Sequence, residues 1–112
     1  MKYIKVNWKH DSPEYPVILY SEIGDDRYEV RKVDIFPNGS YGYADGKNDT
    51  ENTFLGVKPT PPFEVVNSNP EFELVEISKE EFEEIWSKSH DSKMGKKGQA
   101  ISPKKRFWGL FG

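Results

Sequence analysis

The chain has 112 residues, 35% of them hydrophobic and 14% aromatic, enough for one domain with a ring-rich interior but not for two. It has no cysteine and only two histidines, which excludes disulfide scaffolds, thiol nucleophiles, cysteine-ligated metal centres and three-histidine metal sites. The net charge of −3 conceals a split: residues 1–87 hold 9 basic and 18 acidic residues, whereas 88–112 hold 7 basic residues and a single acidic one.

Residues 2–9 alternate, with Ile4, Val6 and Trp8 on one side and Tyr3, Lys5 and Asn7 on the other, which predicts a half-buried strand. Asp11-Ser12-Pro13 and Pro16 break it, and residues 17–23 form a second strand whose odd positions look inward. Gly24-Asp25-Asp26 is a turn. In the third strand, 27–36, Tyr28 and Val30 share one face and Val33 and Ile35 the other; a bulge near Arg31-Lys32 would turn both pairs inward. Asn38-Gly39 supplies positive φ at little cost and predicts a hairpin into a short strand at 40–44. Residues 45–62 read as a long surface loop anchored by Phe54 and Leu55. Pro61-Pro62 opens a short helix to Asn67, and 71–77 is another strand. Ser78 and Glu81 make a capping box, and Phe82, Ile85 and Trp86 at i, i+3 and i+4 give the helix 79–89 its apolar stripe.

Together these elements predict one α+β domain over 1–90: a curved antiparallel sheet of four to five strands, with one C-terminal amphipathic helix packed on one face. The stripe of that helix is expected to meet Ile4, Val6, Trp8, Val17, Leu19, Val30 and Ile35. Tyr3, Tyr20, Tyr41 and Tyr43 are then left on the opposite face. Residues 91–112 read as a flexible basic tail ending in aromatics.

Little in the sequence points to catalysis. His10-Asp11-Ser12 contains the residue types of a hydrolase triad, but immediate neighbours cannot converge as a triad does, so they read as a strand-end turn. Asp45, Asn48, Asp49 and Glu51 evoke a calcium loop, yet Lys47 occupies the third position and the sixth is not glycine. Glu80, Glu81, Glu83 and Glu84 read as a solvated helix face. No phosphate loop is present. No cofactor or metal is called for, and the chain is not expected to be an enzyme.

Two features fit binding. Exposed tyrosines bring area and a hydroxyl at low entropic cost. An acidic body repels nucleic acid and attracts basic proteins. The expected contact residues for a basic protein partner are Asp25, Asp26, Tyr41, Tyr43, Asp45, Asp49 and Glu51. The alternative is an adaptor that makes weak membrane or partner contact through the tail residues Lys104, Lys105, Arg106, Phe107, Trp108 and Phe111. The N-terminus has no long apolar core or cleavage site of a signal peptide, and no run reaches the roughly 18 apolar residues of a spanning helix. The expected location is therefore cytoplasmic.

The strings Lys2-Tyr3-Ile4-Lys5-Val6-x-Trp8-x-His10, Leu19-Tyr20-Ser21-Glu22-Ile23, Arg27-Tyr28-Glu29-Val30-Arg31-Lys32-Val33, Gly42-Tyr43-Ala44 and Ile77-Ser78-x-Glu80-Glu81-Phe82-Glu83-x-Ile85-Trp86 resemble a family of small bacterial domains of unknown function. The resemblance covers about residues 2–88 and implies no catalytic residues. Similar small acidic proteins serve as immunity proteins in bacterial toxin systems, an analogy that implies neutralisation of a basic, nuclease-like toxin.

Overall fold

The computed structural model describes residues 1–90. Its strands are β1 (Lys2–Trp8), β2 (Ile18–Ile23), β3 (Glu29–Ile35), β4 (Tyr41–Ala44) and β5 (Phe72–Glu76). The helices are α1 (Phe63–Asn67), between β4 and β5, and α2 (Lys79–Ser89), after β5. The strands form one open antiparallel sheet in the order β4-β3-β2-β1-β5, an α+β fold with α2 packed against it. The Asn38-Gly39 hairpin forms as expected: Gly39 takes φ 90°, and the Asn38 side chain accepts from the Ser40 amide at 2.9 Å. Pro62 caps α1. Ser78 Oγ accepts from the Glu81 amide at 3.1 Å, which fixes the start of α2 at the predicted residue.

The faces of the sheet differ from expectation. Alternation places Ile4 and Val6 of β1, Leu19 and Ile23 of β2 and Leu74 of β5 on one side, where they form a buried cluster closed by Val66 and Phe63 of α1. The other side carries Tyr3, Tyr20, Val33, Tyr41 and Tyr43, and α2 lies there, with Phe82 fully buried and Ile85 and Trp86 beside it. Of the partners expected for the α2 stripe, Ile35 alone is in this cluster. The tyrosine face is therefore covered by the helix. The reason is that β2 is central and buried on both sides, so its alternation does not say which face a given helix takes. Tyrosine rings also serve as core while their hydroxyls find partners, as when Tyr3 donates to Glu22 at 3.0 Å.

The bulge exists but lies earlier than expected. Glu22 pairs Arg31 and Ile23 pairs Glu29, so Val30 drops out of the ladder. Tyr28 and Val30 remain exposed, at 42% and 37%, and do not enter the core.

Both sheet edges are blunted by side chains. On β4, Thr50 exchanges bonds with the Tyr43 backbone: its amide donates to Tyr43 O at 2.9 Å, and its hydroxyl accepts from Tyr43 N at 3.0 Å. On β5, the Asn67 amide bonds both N and O of Leu74. After Thr50 the chain crosses the α1 face of the sheet as a strap without regular structure. It is tied down by Thr53, Phe54, Gly56 and Thr60. The strap lies close because β4 presents Gly42 there: a Cβ on Gly42 would overlap Thr53 Oγ1. Gly42→Ala is expected to cost about 1–3 kcal/mol in chemical denaturation, the usual range for overpacking. Unchanged stability would mean that the strap has room to move.

Candidate functional site

Three clusters carry the chemistry of the described residues. The first is at one end of the sheet. β2, β3 and β4 run alternately, so the turn after β2 and the turn after β4 open at the same end. Asp25 and Asp26 occupy the first turn. Asp25 is fully exposed and lies 3.5 Å from the terminal ammonium, while Asp26 Oδ1 accepts from the Tyr28 amide at 3.0 Å. Arg27 there takes φ 72°, held by a reciprocal pair with Thr60: Thr60 N donates to Arg27 O at 2.7 Å, and Arg27 Nε donates to Thr60 O at 2.9 Å.

Asp45 and Asp49 occupy the second turn and fold it around themselves. Asp45 Oδ1 accepts from the amides of Lys47 and Asn48, and Asp49 Oδ1 accepts from those of Asp45 and Gly46. The Asn48 and Lys47 amides hold the Asp45 carboxyl below the usual carboxylate range. Among the described residues, no three His, Cys, Asp or Glu side chains are grouped to hold a metal ion.

Tyr43 joins this end to α2. Its ring stacks on His90 at 3.7 Å and meets Trp86 edge-on at 5.7 Å. Tyr41 and Tyr43 are thus half-buried at the β4 edge rather than spread on an open face. Glu51 lies apart, in a shallow cleft with Phe36, Ser40, Tyr41, Gly42, Thr50 and Asn52. The structure thus gathers Tyr43, Asp45 and Asp49 with Asp25 and Asp26 at the same end. Tyr41 and Glu51 stand further along the β4 edge. The tail residues Lys104, Lys105, Arg106, Phe107, Trp108 and Phe111 lie outside the described residues.

The second cluster centres on Arg31, beneath α2. Its guanidinium is bidentate to Glu22, at 2.6 and 3.1 Å, and to Glu83, at 2.6 and 3.2 Å. It also sits 4.9 Å from the Phe82 ring and 5.0 Å from the Trp86 ring. Arg31 holds both carboxyls below their ordinary range. These groups satisfy one another, so the cluster pins α2 to the sheet.

The third cluster is buried under the strap, and sequence reading missed it. Ser21, Glu29, Lys32 and Asp34 all point into the α1 face. Glu29 accepts from Ser21 Oγ at 3.1 Å and from the Gly56 amide at 2.6 Å. Lys32 Nζ lies 3.5 Å from both Glu29 and Phe54 O. Asp34 Oδ2 accepts from Thr53 at 3.2 Å, while Oδ1 has no partner. The available signal was the spacing of Lys32 and Asp34, which puts both on one face of a strand opposite Gly42 and Ala44.

His10 makes no triad. Its Nδ1 accepts from the Ser12 amide at 3.0 Å, which leaves Nε2 to donate to Pro16 O at 2.8 Å.

A family model matches residues 2–91, described as Domain of unknown function (DUF6881). The chain belongs to this family. No curated protein and no solved structure matches it. The match covers every element of the sheet and both helices, so all three clusters lie within the matched residues. No helix among the described residues is long and apolar enough to cross a membrane.

Proposed function

We propose that this DUF6881 domain is a non-enzymatic binding domain that receives a basic protein on the acidic end of its sheet. Its role would be that of a bacterial immunity or antitoxin protein that neutralises a basic, nuclease-like toxin. The observation that carries this reading is the pair of self-capped turns. Asp45 and Asp49 each spend Oδ1 on their own backbone, and Oδ2 makes no bond among the described residues. Carboxylates fixed in this way lose little freedom when a cationic partner arrives. Asp25 and Asp26 add charge at the same end, and the surplus of acidic residues in the body steers a basic protein toward it. The Tyr43–His90 stack offers a flat ring surface beside these charges.

The test starts from a basic protein captured by the full chain at low salt and released at high salt. The double variant D25K/D26K should bind it at least tenfold more slowly at low salt, with a flatter dependence of rate on ionic strength. Association rates equal to those of the parent would remove the β2–β3 turn from the interface.

A further inference from the structure

We infer that the strap over residues 53–60 is a pH-sensitive latch, closed while the buried Asp34 carboxyl is neutral and loosened when it ionises. Asp34 is 0% exposed and its Oδ1 has no partner. The charged groups that face it are Glu29 and Lys32, both on its own strand. β2 contributes Ser21 to this face, β4 contributes Gly42 and Ala44, and the strap contributes Thr53. β1 and α1 bring Ile4, Val6 and Val66 to the apolar part of the same face, and α2 lies on the opposite one. None of these elements adds a charge.

Glu29 and Lys32 balance each other at 3.5 Å. The cluster is therefore neutral when Asp34 carries its proton; when it does not, two buried carboxylates share the single cation Lys32 and the cluster holds a net charge of −1. A charge of that kind in a dry site is costly, and the available relief is to admit water. The strap is the element that can yield. It has no helix or strand of its own; it is held by hydrogen bonds at Thr53, Phe54 and Gly56 and by the two-bond pair between Thr60 and Arg27 of the β2–β3 turn.

Burial raises the Asp34 carboxyl to about 7, with Lys32 opposing the shift. Opening the strap returns it toward the ordinary value near 3.8. The closed state binds the proton more tightly, so its advantage is complete below about 4 and is lost as pH rises through about 7. The open fraction should rise by up to tenfold per pH unit between these values, about 50-fold from pH 5 to pH 7, and then level off. The latch does not depend on the binding reading.

Hydrogen exchange read by NMR on the full chain tests the latch, with each rate divided by the intrinsic rate at that pH. The amides of Thr53, Gly56 and Thr60 should exchange faster than those of β1 and β2. They should lose protection about 50-fold from pH 5 to pH 7 and little more by pH 8.5. In D34N that dependence should vanish. Strap protection that is flat with pH in the parent, an unchanged slope in D34N, or strap amides that exchange only together with the sheet would each overturn the latch. If D34N does not fold, carbon NMR titration of the Asp34 carboxyl in the parent decides: a midpoint near 7 supports the latch, and one below 5 overturns it.

Discussion

Phe82→Ala is expected to destabilise the domain by about 3–5 kcal/mol, measured by urea denaturation. Phe82 is 0% exposed and touches the sheet through Tyr3, with ring centroids 5.5 Å apart. It stacks on Trp86 at 6.2 Å and covers the Arg31 guanidinium. Removing the ring opens a cavity between α2 and the sheet, and it strips one face from a cation already committed to two carboxylates. Trp86→Ala should cost less, because Trp86 is only half-buried and keeps one side near solvent beside His90. A loss below about 1 kcal/mol for Phe82→Ala would mean that α2 does not pack on the tyrosine face.

Lys32→Ala is the second large effect, also about 3–5 kcal/mol. Lys32 and Glu29 side chains are 4% and 1% exposed. Truncating the lysine leaves Glu29 as a buried charge beside an already unfavourable Asp34. The effect should be strongly non-additive. A Lys32→Met, Glu29→Gln double variant removes both charges at nearly constant volume and should recover at least half of the loss. Equal losses in Lys32→Met and in the double variant, read by urea denaturation, would show that the pair contributes by shape rather than charge.

The strands, the Asn38-Gly39 hairpin, the Pro62 start of α1 and the Ser78 cap of α2 were legible because each depends on neighbours in sequence. The face taken by α2 was not. Ile18 and Tyr20 alternate with Leu19 and Ile23 on a central strand, and both sets are apolar enough to be covered. Tyr3, Tyr20, Tyr41 and Tyr43 read as surface because of their hydroxyls, yet their rings form most of the wall under α2. The buried cluster was illegible for a related reason. Charged residues read as solvated, and what makes Glu29, Lys32 and Asp34 tolerable inside is a strap 20 or so residues away that supplies Thr53, the Phe54 carbonyl and the Gly56 amide. The acidic residues of the candidate site were legible as types. Their arrangement was not, because the meeting of the β2–β3 and β4 turns at one end follows from sheet order.

The proposed role rests on a basic protein docking at this acidic end. Its most direct test is NMR shift mapping of the full chain during titration with the captured basic protein. The changes are expected to concentrate at residues 25–26, 43–49 and 90. Changes confined to the exposed glutamates of α2, with both turns undisturbed, would contradict it.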